Sequence, residues 1–254
     1  MHSKQAAATG RESEDPAQLW ATAALNKAVP AAEAGPRLVR EQALDKIRSA
    51  IVEGRLKPGA RLTERELCAE LSISRTIVRE IVRQLEAERL VEVIPHCGLR
   101  IPRLTPKLVR EIYDIRVELE VLVVRAFLEV ADDAQIDKLR GHFAAVVAAT
   151  KTGDVAVMVT AITAFLRYMI AVADHQVASE VLQQQLARIN MLRILSMSQP
   201  GRIEASLVEL AKLVDRIAAR DHVGAERATR IYVQAAGAAA LAQLDTKEAD
   251  PVKS

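Results

Sequence analysis

From Val39 onward, apolar positions recur at helical spacing: Leu44, Ile47, Ile51 and Val52 share one face, and the run stops at Gly54, ahead of the breaker pair Pro58 and Gly59. This predicts a first helix. A second fits residues 63–70, with Thr63 as N-cap and Leu67 and Leu71 turned inward. Only a tight turn at Ser72 and Ile73 separates it from a third helix, capped by Ser74. In that helix Val78, Ile81, Val82 and Leu85 form the inward stripe, which leaves Arg75, Thr76, Arg79 and Arg83 on the solvent side. After Leu90 the period shortens to β-like runs at 91–94 and 99–101 around Pro95, His96, Cys97 and Gly98, the pattern of a hairpin or wing.

Residues 102–106, with a proline at each end, read as a linker. The rest of the chain reads as about six helices, broken at Asp132, Gly153, Asp174, Pro200 with Gly201, and Asp221. The first of them places Ile112, Ile115, Leu119, Leu122 and Ala126 on one face and Glu111, Asp114, Glu118 and Glu129 on the other. Residues 1–36 show no sustained periodicity and read as a disordered tail in which Trp20 has no assigned role; residues 246–254 read as a flexible tail. The expected fold is mainly α: an N-terminal winged helix-turn-helix over 37–104 and a C-terminal all-α antiparallel bundle over 105–245.

Composition supports two domains. The chain has 254 residues, half of them hydrophobic and only 3% aromatic, which suits helix-on-helix packing. A formal net charge of +2 announces no polyanionic partner by itself. Locally, residues 38–104 carry 13 Lys plus Arg against 10 Asp plus Glu, whereas the remainder carries 22 against 23, so the basic surplus falls on the helix-turn-helix. Two cysteines make no disulfide framework, and no signal-type or membrane-spanning apolar run of about 18 residues is evident, so a cytoplasmic protein without a membrane partner is expected.

A helix with an exposed basic ridge after a tight turn suits the DNA major groove. Arginine's fork bridges guanine O6 and N7, while Ser and Thr hydroxyls and helix N-terminal amides suit phosphate oxygens. The alternative is a solvated face of a protein-interaction module.

Over residues 40–104 the chain resembles the winged-helix domain of GntR-type regulators. The segments that carry this are Ile51-Val52-Glu53-Gly54-Arg55-Leu56-Lys57-Pro58-Gly59, Leu62-Thr63-Glu64-Arg65-Glu66-Leu67, Ser74-Arg75-Thr76-Ile77-Val78-Arg79-Glu80 and Leu85-Glu86-Ala87-Glu88-Arg89-Leu90-Val91. The resemblance implies that Arg65, Ser74, Arg75, Thr76 and Arg79 meet double-stranded operator DNA and that the wing tip near His96 and Gly98 enters the minor groove. Ile77 stands where a proline is usual, Ser72 and Arg89 where glycines are usual, and Ile81-Val82 where Ala-Leu is usual.

The segment Glu111-Ile112-Tyr113-Asp114-Ile115-Arg116-Val117-Glu118-Leu119-Glu120 resembles the opening helix of the effector domain in the FadR (FCD) branch. Many members of that branch hold a divalent metal; the aligned positions here are Ile162, Leu166, Leu210 and Tyr232, which cannot hold one. No metal or other cofactor is expected, and the stripe Val159, Ile162, Leu166, Met169 and Ala173 should form a dry wall. The histidines have no ligand-like spacing. Arg116 lies on an inward row and needs an anionic partner, either a bundle carboxylate or an effector. Arg167, Asn190 and Arg193 are further effector-binding candidates, suited to a carboxylate or acyl metabolite.

No Gly-rich phosphate loop, nucleophile elbow or clustered His-carboxylate motif marks an enzyme. A redox response through Cys97 is an alternative mode of regulation. Recognition of a palindromic operator implies a homodimer, with residues 203–219 and 225–244 as the expected dimer surface.

Overall fold

The computed structural model describes residues 36–52, 55–94 and 98–249. The tail with Trp20, and also His96 and Cys97, lie outside the described residues. The first helix, α1 (Pro36–Val52), buries Ala43, Leu44, Ile47, Ala50 and Ile51, the expected stripe. Strand β1 (Arg61–Leu62) follows, two residues long and invisible to any periodicity argument. Thr63 then starts α2 (Glu64–Leu71) with a reciprocal cap: Glu66 N donates to Thr63 Oγ1 at 3.1 Å, and Thr63 N donates to Glu66 Oε2 at 2.7 Å. Ser72 turns the chain at φ 54, and Ser74 caps α3 (Arg75–Ala87), whose inward stripe is Val78, Ile81, Val82 and Leu85.

Strands β2 (Glu92–Ile94) and β3 (Gly98–Arg100) form the wing, but β1 joins them, so the expected hairpin is a three-stranded antiparallel sheet in the order β1-β3-β2. Leu62 and Val93 both pair with Leu99. A Cβ on Gly98, at φ +82, would lie 2.6 Å from the Leu62 carbonyl oxygen; only glycine lets β1 approach there.

Six helices follow: α4 (Pro106–Val130), α5 (Asp133–Thr150), α6 (Val155–Ala173), α7 (Gln176–Met197), α8 (Arg202–Ala218) and α9 (His222–Ala249). Their breaks fall at the expected polar and glycine positions, and Thr105, Asp132 and Asp154 cap the first three. The last helix runs past residue 245 to Ala249, into the stretch read as a tail. Helix α4 lies against α9, where Tyr113 packs on Gly237 so closely that a Cβ there would sit 2.9 Å from the ring. On α4 the buried face is displaced from the expected one: Ile112 is buried, but Ile115 is 57% exposed and Leu119, Leu122 and Ala126 are half-buried, because the face turned to the core runs through Tyr113, Arg116, Val117, Glu120, Val124 and Phe127.

Helix α6 corrects one expectation. With a mean hydropathy of 2.0 over nineteen residues, it is long and apolar enough to cross a bilayer by length and composition. Its Met158, Val159, Ile162, Phe165, Leu166 and Met169 are instead packed in the bundle core. The two domains meet at α7, whose Ala187 is buried in the core of the winged helix, with Met191 packed beside it.

Candidate nucleic-acid interface and interior anion site

The outward face of the helix-turn-helix keeps its charges in solvent. Arg65 on α2 and Arg75, Thr76, Arg79 and Arg83 on α3 are exposed. Ser74 Oγ accepts from Ile77 N at 3.4 Å, so its own proton remains free to donate. Glu66 is committed to the cap of α2. Glu64, by contrast, reaches across to α3 and accepts from Arg79 Nε at 3.3 Å, a bond that does not use the Arg79 Nη groups. The ridge is thus displayed by two caps and one inter-helix pair. Gly98, read from the resemblance as a wing-tip contact, has a backbone reason for being glycine.

The helical domain does the opposite and carries charge inside. Arg116 on α4 and Arg193 on α7 are each 2% exposed, and between them lies one carboxylate, Glu120. Arg116 Nε donates to Glu120 Oε1 at 2.7 Å, whereas Arg193 Nη2 stands 3.7 Å from the same oxygen. Burial works against both charges. For Arg116 burial is the largest single influence, but Glu120, Tyr113 and Tyr232 together outweigh it and raise the pKa. For Arg193, burial and the neighbouring Arg116 lower it. Guanidinium does not deprotonate in a protein, so the cluster holds two positive charges against one negative. Both Nη atoms of Arg116, Nε of Arg193 and the hydroxyl of Tyr113 have no hydrogen-bond partner among the described residues.

Asn190 joins this cluster: its Oδ1 accepts from Arg193 Nη1 and from Thr163 Oγ1, both at 2.9 Å. Arg167 does not. One residue along α6 from buried Leu166, it is exposed and lines a cleft between the domains with Arg48 and Glu88. Sequence reasoning missed Glu120 and Tyr113. The first was legible as the carboxylate one turn after Arg116; Tyr113 had no distinguishing signal.

Residues 39–101 match the bacterial regulatory proteins of the gntR family, and residues 111–235 match the FCD domain. The chain is 31% identical over 198 residues to the "Probable D-xylose utilization operon transcriptional repressor" of Paenarthrobacter nicotinovorans, covering 78% of this chain and 86% of that one. It belongs to the GntR family, FadR branch, with an FCD domain. The GntR match extends to the uncharacterized regulator YdhC of Bacillus subtilis, 27% identical over 72% of this chain and 84% of that one. In fold it resembles McbR/YncC of E. coli, with a TM-score of 0.67 at 22% identity over 77% of this chain and 93% of that one. This GntR chain is therefore a DNA-binding transcription regulator and not an enzyme.

The metal that many FCD domains hold does not fit here. Ile162, Leu166, Leu210 and Tyr232 are all buried, and only the tyrosine among them offers an oxygen. Among the described residues no three His, Cys, Asp or Glu side chains are grouped to hold an ion. The wall formed by Val159, Ile162, Leu166, Met169 and Ala173 is buried and apolar, and the positive charge near it belongs to Arg116 and Arg193. Of the three described histidines, His142 stacks on Tyr168 at 4.7 Å between centroids, His175 caps α7 and His222 begins α9. Cys68 is half-buried against the winged-helix core.

Proposed function

We propose that this regulator is a homodimeric, cytoplasmic repressor that reads a palindromic operator through Arg65, Ser74, Arg75, Thr76 and Arg79, and is modulated by a small carboxylate or acyl metabolite. The winged helix would span 37–104 and the effector and dimerisation domain would begin at 105. The observation that carries the effector assignment is the pair of buried guanidiniums with a single counter-charge: a bound carboxylate would balance the second and satisfy the orphan donors of Arg116. Beside it, a groove of about 190 Å3 between α4 and α7 is lined by Ile112, Leu119, Leu182 and Ile189 with Arg116, which suits a short hydrocarbon body. No metal takes part in this reading.

The sign of regulation follows the relatives whose names call them repressors, among them the gluconate operon repressor of Bacillus subtilis. A dimer surface on residues 203–219 and 225–244 would have to use what the single chain leaves uncovered. Leu210, Leu213, Val214 and Ile217 of α8, and Tyr232, Val233 and Ala236 of α9, are consumed within one chain, which leaves Val208, Val223 and Ile231 exposed.

Calorimetric titration with a series of monocarboxylates, run on the wild type and on Arg193→Gln, tests the effector site. Binding is expected for at least one acid and should weaken about tenfold in the variant. A series without binding, or binding indifferent to Arg193, overturns it.

A further inference from the structure

A second pair of arginines meets where the two domains join. Arg89, just past the end of α3, and Arg188, on α7, line one cleft of about 640 Å3 whose walls also include Ile51, Leu90, Pro102 and Met191. Three observations converge on it. Arg89 adopts φ 57, a left-handed conformation in which a side chain is strained, at a position where the resemblance leads one to expect glycine. Arg188 is half-buried, and among the described residues its guanidinium hydrogen-bonds only the neutral Gln185 Oε1, at 3.0 Å. Burial and the like charge of Arg89 lower the pKa of Arg188, and no carboxylate opposes them. Two carboxylates also line the cleft: Glu92 is paired with Arg100 at 2.6 Å, and Glu86, exposed like Arg89, forms no ion pair with Arg89 or Arg188 among the described residues.

We propose that Arg89 and Arg188 form a binding site for a small oxyanion, a phosphate- or carboxylate-bearing metabolite that bridges the DNA-reading head to the helical domain. One cation comes from each domain, so a ligand between them ties the head to α7. Glycine at position 89 would give the same turn without strain and without the charge. Arg188 and Leu108 also line the groove beside Arg116, so the two sites share a wall; Arg89 lines only this cleft, and Arg89→Gly is the variant that tells the two sites apart.

Thermal-shift titrations of the full chain with inorganic phosphate and with citrate, at matched ionic strength against chloride, test it. The wild type is expected to gain melting temperature with at least one anion, and that anion names the ligand class. Arg89→Gly, which also relieves the left-handed strain, and Arg188→Gln should each weaken the apparent affinity about tenfold. The bound anion should also slow tryptic cleavage after exposed Arg103 in the linker. A wild type indifferent to both anions, a response that survives in both variants, or binding without protection at Arg103 would overturn the proposal.

Discussion

The winged helix and the helical bundle use charge in opposite ways. Among the described residues every buried polar or charged side chain, from Arg116 to Thr229, lies in the bundle, while the winged helix has an all-apolar core and displays its arginines. A surface that reads DNA needs only a rigid, featureless interior behind it. A domain that answers to a small molecule needs chemistry within, and it accepts a stability cost for that. The outward site therefore tolerates change with little effect on folding, and the inward one does not.

The largest expected effect breaks the inward site. Glu120→Ala strands two buried guanidiniums and should cost about 3 to 5 kcal/mol in urea unfolding. A loss below 1 kcal/mol, on the order of an exposed pair, would erase the contrast between the domains. Ile81→Ala opens a cavity in the winged helix and should cost about 3 kcal/mol in urea unfolding. Arg75→Ala and Arg79→Ala should each weaken operator binding by about 1 to 3 kcal/mol in fluorescence anisotropy while leaving the melting temperature unchanged.

The smallest effect concerns acid. Glu118 and Glu226 are held below the usual carboxylate range, the first by the hydrogen bond from Arg230 and the second by that from Arg125, and both pairs tie α4 to α9. A depressed carboxylate contributes its stability above its unfolded pKa and loses it as pH falls through the folded value. Acid unfolding should therefore be slightly less steep in a Glu118→Gln, Glu226→Gln double variant. An identical acid limb in the two proteins would show these exposed pairs to be idle.

Much of this was legible from spacing because a helix repeats. Caps at Thr63 and Ser74, the stripe through Ile81 and the inward aim of Arg116 all follow from 3.6-residue periodicity. Failures came where one residue decides. Arg167 is a single step of about 100° from buried Leu166, and that step carries it out of the bundle. Ile115 left its stripe in the same manner. β1 is too short to have a period, and its pairing with β3 is a long-range fact fixed by Gly98. Arg193 was named, but which side chains it would meet depended on how α4 and α7 were brought together.

Helix α7 belongs mechanically to both halves of the molecule. Ala187 is a brick in the winged-helix core, and Asn190 and Arg193, three and six residues further on, sit in the charged interior of the other domain. At 1.5 Å of rise per residue the two anchor points are about 9 Å apart on one rigid rod. A displacement felt at Arg193 thus has no slack to cross before it reaches the DNA-reading head. The proline-flanked linker is the chain's covalent hinge, but α7 is its crankshaft, and a winged helix cut free at residue 104 would carry a socket where Ala187 had been.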